Sequence, residues 1–275
     1  MKRIFIQVNS HKEGAHEAAL QAQKQLAGKA EVAEISLREK VSLPQGEIDL
    51  VISLGGDGSF LQLVPEVALR GIPMMGINMG KMGFHTAGLL EDMSGLLDDY
   101  LEDRMEIKEL MLLDVTLVKK TGRLRAIGLN DTVIGSADLS RILTLKAAIS
   151  SESLFTIRSD GLVISSPTGS TAHSLSAGGT IIDPRMDALQ ITPLNPQSLS
   201  SRPIVVHPSE EVEVELLDSG IGPEVFVDGR RLAKVEVGEP LLVSRHAERL
   251  RVLQPASYRF FHRLREKLGW SRNPV

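Results

Sequence analysis

Apolar positions over the first hundred residues follow two alternating rhythms. Ile4, Phe5, Ile6 and Val8 form a nearly continuous apolar run, as expected of a strand covered on both faces. Ala15, Ala18, Ala19, Ala22 and Leu26 then recur at helical spacing, and Gly28 is placed to end that helix. Residues 30–37 read as a second strand and 48–54 as a third, which runs straight into Gly55-Gly56-Asp57-Gly58. A helical stretch follows over 59–70, with Pro65 expected to kink it or to mark a restart. Residues 73–77 read as a strand and 91–102 as a helix. Strand, helix, strand in this order predicts a parallel, doubly wound sheet.

From about residue 105 the period shortens. Leu113, Val115 and Leu117 alternate with their neighbours, and Lys119-Lys120-Thr121-Gly122 reads as a hairpin turn. Short strands are expected over 123–135, 140–149, 154–166, 203–206, 211–217, 224–227 and 241–253. Many short strands with turns between them predict a sandwich of two packed sheets. Over 258–270, Phe261, Leu264 and Leu268 stand at helical spacing and form an apolar face that needs cover. The expected organisation is an α/β doubly wound domain over 1–104 and a β-rich, two-sheet sandwich domain over 105–254. A C-terminal segment, 255–275, brings a helix that packs back on the first domain.

Of the 275 residues, 42% are hydrophobic and 24% charged, which excludes a disordered or fibrous chain. A net charge of -4 gives no general basic field for gripping a nucleic acid, so no such partner is expected. Residues 245–275 are locally basic, with Arg245, Arg249, Arg251, Arg259, Arg263, Arg265, Lys267 and Arg272 against Glu248 and Glu266. That pattern fits either an anion-binding surface or a solvated face. The absence of cysteine excludes disulfides, thiolate metal sites and a cysteine nucleophile. The histidines show no spacing that compels a metal, so no protein metal site is expected. No stretch approaches the ~20 apolar residues of a membrane helix, and the apolar run ending at Val8 is too short for a signal peptide. These features point to a cytoplasmic protein with no membrane partner.

Three segments carry candidate chemistry. Gly55-Gly56-Asp57-Gly58-Ser59 lies at the carboxyl end of a buried strand and the start of a helix, where open α/β sheets bind ligands. Glycines at 55, 56 and 58 let a phosphate approach the backbone, and a helix N-terminus favours its charge. A carboxylate inside such a cradle repels the ligand unless it has a chemical task, such as taking the proton of an acceptor hydroxyl. The same residues equally fit a strand-to-helix turn with Asp57 as N-cap. The motif does not complete G-x-G-x-x-G, and Gly76 to Lys81 is one residue short of a Walker loop, although Lys81 can still reach a phosphate. Asn130-Asp131 pairs an amide with a carboxylate, which suits the two hydroxyls of a ribose and also suits a polar turn. Residues 160–179 run through small hydroxyl residues and glycines that let flat rings and sugars lie close to the backbone. No G-x-S-x-G elbow occurs there, which argues against a serine hydrolase.

Taken in order, these segments resemble the ATP-NAD kinase family. Gly55 to Gly58, the stretch Asn78 to Phe84, Asn130-Asp131, the 160–179 run, Thr192 to Val205, Val227-Asp228-Gly229 and Arg263 to Trp270 carry the resemblance, which covers essentially the whole chain. It implies a kinase that moves the γ-phosphate of ATP to the 2′-hydroxyl of the adenosine ribose of NAD, giving NADP, with the nucleotides between two domains. It further implies a divalent metal, Mg2+, bound with ATP, polyphosphate as donor in some members, and a homodimer or homotetramer. Carried over by position, Asp57 resembles the catalytic base, and Gly55, Gly56, Gly58 and Lys81 resemble phosphate neighbours. Gly58, Phe84, Asn130, Asp131, Asp160, Thr168, Thr171, Ala172 and Ser176 resemble NAD contacts, and Arg158 is a charged candidate beside Asp160. His173 stands where the family usually has a tyrosine that stacks on the dinucleotide. Met82, His85 and Leu194-Asn195-Pro196-Gln197 also depart from the family pattern. The competing readings are a kinase of the same fold with a lipid, sugar or nucleoside acceptor, and a dinucleotide-binding regulator without catalysis. The small hydroxyl residues of 160–179 argue against a lipid, and Asp57 argues against a pure sensor.

Overall fold

The computed structural model describes residues 1–38, 42–135, 142–218 and 223–270. The first two residues of the strand expected over 140–149, and Arg272, lie outside them. The early elements are β1 (Arg3–Val8), α1 (Ala15–Leu26), β2 (Glu31–Ser36), β3 (Leu50–Gly55), α2 (Asp57–Leu69), β4 (Met74–Asn78), β5 (Thr86–Leu89) and α3 (Met93–Leu101). Next come β6 (Met105–Lys119), β7 (Gly122–Gly128), β8 (Asp131–Gly135), β9 (Leu143–Ile149), β10 (Glu152–Ser159), β11 (Gly161–Ser165) and α4 (His173–Ser176). The chain ends with β12 (Leu189–Leu194), β13 (Ile204–Val206), β14 (Val212–Asp218), β15 (Glu224–Val227), β16 (Arg230–Lys234), β17 (Leu241–Pro255) and α5 (Phe260–Leu268).

Two units form: one of Met1–Lys108 with Arg251–Val275, the other of Glu109–Leu250. In the first, β2, β1, β3, β4 and β5 lie side by side and all parallel, and Val252 of β17 pairs with Met74 in the same sense. Ile4, Ile6, Leu50, Ile52, Met75 and Ile77 pack with the alanine face of α1 and with Met93, Leu96 and Leu97 of α3. Helix α2 buries Phe60, Leu63, Val64 and Val67, and it runs unbroken through Pro65. Burial at about 1.5–3 kcal/mol per side chain outweighs the ~3 kcal/mol of an interior proline. Of the two outcomes expected at Pro65, a kink or a restart, the restart does not occur.

Helix α5 corrects an expectation. Its buried residues are Arg263 and Leu264, while Phe261 is 58% exposed. The helix therefore rests on a narrower face than the spacing of Phe261, Leu264 and Leu268 predicts, with an arginine sharing the buried stripe.

The second unit holds two sheets. One runs β10-β9-β14-β17, with β6 and β7 as an antiparallel hairpin; the other runs β13-β12-β11-β8-β15-β16 and is antiparallel throughout. Alternating residues from both sheets, among them Leu113, Val115, Leu145, Ile134, Leu162 and Val225, meet in one core. The strands expected over 123–135 and 154–166 are each two strands, broken at Leu129-Asn130 and at Asp160. Among the described residues, no helix is long and apolar enough to cross a membrane.

Candidate functional site

Two regions gather the candidate residues, one in each unit. In the first, β3 is buried along its whole length and delivers Gly55 to the start of α2. Gly56 is the N-cap and Asp57 is the first helical residue, so Asp57 does not cap the helix. Its carboxylate turns instead to the loop between β4 and β5. Oδ2 accepts the Phe84 N–H and Oδ1 accepts the His85 N–H, each at 3.3 Å. Gly83 gives the carboxylate its room, because a methyl group on it would overlap Asp57 Oδ1. Asn9 Nδ2 donates to Ser59 Oγ at 2.9 Å and ties the end of β1 to the same helix end. Lys81 is exposed in the β4–β5 loop. Phe84 is half-buried, its ring centroid 6.4 Å from that of Phe260 and 5.4 Å from Lys267 Nζ. His85 is buried and stacks on Phe60 at 5.6 Å.

In the second region, Asp131 opens β8 with Asn130 just before it, and both are held by a residue almost one hundred positions later. Asp228 sits at φ 48° in the two-residue turn between β15 and β16, followed by Gly229 at φ 74°. That left-handed pair suits Asp-Gly in a tight hairpin. The Asp228 carboxylate accepts the N–H groups of Leu129 and Asn130 at 2.8 Å and of Asp131 at 3.2 Å. From the other side, the Ser166 N–H donates to the Asn130 carbonyl at 2.9 Å. Gly169 leaves no room for a Cβ against that carbonyl. Residues 166–173 therefore lie directly on 129–131. Ser170 fixes the rest of the loop, donating to the Pro167 carbonyl and accepting the Ile182 N–H.

This arrangement leaves unspent polar groups. Asn130 Oδ1 and Thr168 Oγ1 are buried without a hydrogen-bond partner. A buried polar atom without a partner costs about 1–3 kcal/mol, so these two atoms have hydrogen-bonding capacity to spare. Asp131 is 5% exposed. Burial, and then the Asp228 carboxylate beside it, push its pKa up to about 7, against the pull of the His173 main-chain N–H. Thr171 and Ala172 are half-buried, and His173 and Ser176 are exposed on α4. Arg158 and Asp160 are not part of this group. Asp131 pairs with Ser165 at one end of β11, and Asp160 precedes the other end; the strand separates them by about 17 Å. There Asp160 accepts a hydrogen bond from Asn195 Nδ2 at 2.9 Å, and Arg158 is exposed.

Residues 3–105 match the ATP-NAD kinase N-terminal domain and residues 129–254 the ATP-NAD kinase C-terminal domain. The chain belongs to the ATP-NAD kinase family. It is 38% identical over 229 residues to an NAD kinase of Neisseria meningitidis serogroup B, covering 82% of this chain and 77% of that protein. An NAD kinase of Acinetobacter baylyi is 36% identical over 227 residues, covering 82% and 74%. Two solved structures share the fold at 21% identity. Yeast NADH kinase complexed with NADH has a TM-score of 0.87 over 100% of this chain and 89% of that one. An NAD kinase from Archaeoglobus fulgidus in complex with ATP has 0.78 over 98% and 99%. Family membership makes the chain a phosphotransferase.

Two residues that shape these regions escape a reading of the sequence alone. Asp228 is signalled only as a turn, by its Asp-Gly pair, and nothing local tells that its carboxylate holds three amides of another strand. Gly83 stands in the family-like stretch before Phe84, but its closeness to Asp57 depends on the β4–β5 loop folding back. Among the described residues, no three histidine or carboxylate side chains stand together as a metal site.

Proposed function

We infer that this chain transfers the γ-phosphate of ATP to the 2′-hydroxyl of the adenosine ribose of NAD, giving NADP. The observation that carries the reading is Asp57: a carboxylate in a glycine loop at a helix start, held by two main-chain amides rather than spent on capping. Phosphoryl transfer is mostly positioning and charge stabilisation. Asp57 orients the acceptor hydroxyl and takes its proton late. Gly55, Gly56 and Gly58 with the α2 N-terminus receive phosphate oxygens, and Lys81 adds a cation. Asn130, Asp131 and Thr168 supply hydrogen bonds to ribose and base, with Thr171, Ala172, His173, Ser176 and Phe84 as further contacts, and Arg158 and Asp160 as polar candidates.

A divalent cation, Mg2+, is proposed to enter with ATP. When bound it neutralises charge on the phosphates. The cation is proposed to be held chiefly by the phosphates it accompanies. Polyphosphate is an alternative donor to test. We further propose a cytoplasmic homodimer or homotetramer with no nucleic-acid or membrane partner.

The test is purified protein with ATP, Mg2+ and a panel of acceptors, read with an NADP-specific dehydrogenase. NADP is expected to accumulate with NAD as acceptor. Phosphate appearing instead on a diacylglycerol, a sugar or a nucleoside overturns the choice of acceptor, and NAD binding without ATP consumption makes the chain a regulator.

A further inference from the structure

Asp57 is held by main-chain N–H groups, and the carbonyls of those same peptide groups are themselves held. The amide linking Gly83 to Phe84 donates its N–H to Asp57 Oδ2 at 3.3 Å, while its oxygen accepts from the Arg263 guanidinium at 2.9 Å. The next amide, linking Phe84 to His85, donates to Asp57 Oδ1 at 3.3 Å, and its oxygen accepts from the Tyr258 hydroxyl at 3.3 Å. Arg263 also donates to the carbonyls of Thr86 and Ala87. Its guanidinium carbon lies 4.5 Å from the centre of the Tyr258 ring, so the two side chains brace each other.

We propose that Arg263 and Tyr258 are positioning residues for Asp57, acting through these two consecutive peptide planes. A trans peptide is planar, with its C=O and N–H directed oppositely. Pinning each oxygen therefore aims each N–H at one carboxylate oxygen. Hydrogen bonds in such a chain also polarise one another and strengthen. Arg263 is 8% exposed, and its hydrogen bonds go to main-chain carbonyls. Burying a guanidinium carries a substantial desolvation penalty, and an apolar side chain next to Leu264 would cover the strand end without it. What the arginine adds is a fork of donors that locks residues 83–87 in one conformation. The C-terminal helix thereby becomes part of the catalytic apparatus while touching no reacting atom. This inference rests on the reading of Asp57 as the base.

The experiment uses the full chain with R263K, Y258F and D57N, alone and combined, measuring kcat and KM for NAD. R263K keeps the charge but loses the fork, and kcat is expected to fall roughly 10- to 100-fold, the range that follows small misplacement of a reacting group. Y258F removes one hydroxyl and is expected to lower kcat roughly 2- to 10-fold, the worth of one neutral hydrogen bond. In both, KM for NAD changes by less than kcat does, because only Phe84 among the proposed NAD contacts lies in the loosened segment. In the D57N background neither change lowers the residual rate further, since side chains that act through Asp57 have nothing left to position. Normal kcat in both single variants overturns the proposal, as does the same fold-loss repeated on top of D57N. If R263K does not fold, Y258F decides by the same two criteria. A wild-type protein that makes no NADP, or a D57N variant as fast as wild type, instead sinks the reading of Asp57 and takes the proposal with it.

Discussion

Replacing Asp131 by asparagine should make the protein more stable in mildly alkaline buffer and less so, relative to wild type, as pH falls. Asp131 is buried beside Asp228, and burial first, then that carboxylate, lift its pKa from 3.8 to about 7. In the unfolded chain it ionises near the lower value, and in the folded chain it keeps its proton up to the higher one. Between the two the native state binds one more proton, so stability falls as pH rises through this window and levels off above it. About three pH units at ~1.4 kcal/mol each give about 4 kcal/mol at most. The substituted asparagine cannot ionise, its amide oxygen can still accept the His173 N–H, and its amide hydrogens suit the Asp228 carboxylate. Thermal melts of both proteins from pH 5 to 8.5 should show D131N ahead by an amount that grows up to about pH 7. At the alkaline end the gap should be on the order of 5–10 °C. The same variant should bind NAD more weakly, the usual exchange of function for stability at a strained polar site. A difference that stays constant with pH, or a wild type that is the more stable at pH 8.5, refutes the reasoning.

Gly83→Ala places a methyl group against Asp57 Oδ1; the carboxylate can swing aside at little cost to folding, so the melt should hold while kcat drops by roughly 100-fold or more. Steady-state kinetics beside a melting curve checks this, and a normal kcat means that the carboxylate's placement is irrelevant. His173→Tyr changes an exposed side chain on α4, and its larger stacking surface should lower KM for NAD roughly 2- to 10-fold with kcat unchanged. An unaltered KM removes this side chain from the binding surface.

The parallel sheet of the first unit was legible because its strands are apolar on both faces and its helices carry the helical period. The two-sheet character of the second unit followed from alternation in the same way. What escaped the pattern is physical rather than accidental. β12 contains Gln190, Thr192 and Pro193, β16 is largely cationic, and β5 is only four residues with a glycine, so none of them shows a strand's apolar signature. The breaks at Leu129-Asn130 and at Asp160 were read through as continuous strand, since apolar residues flank both. Asp57 as a carboxylate with a task was visible, but its two amide partners lie 27 and 28 residues away in a loop. Arg263 read as one more charge of a basic tail, because its partners are carbonyls about 180 positions earlier. Buried side chains whose partners are distant main-chain groups leave no local trace.

Asp57→Asn tests the central claim most directly. The variant should fold and bind NAD with an affinity near that of the wild type, measured by calorimetric titration, because the new side-chain oxygen still accepts one of the N–H groups of residues 84 and 85 and only the other loses its acceptor. Its turnover with ATP, Mg2+ and NAD should fall by roughly 10²–10⁴, as for a lost general base. An Asp57→Asn protein that still forms NADP at a near-normal rate contradicts the account.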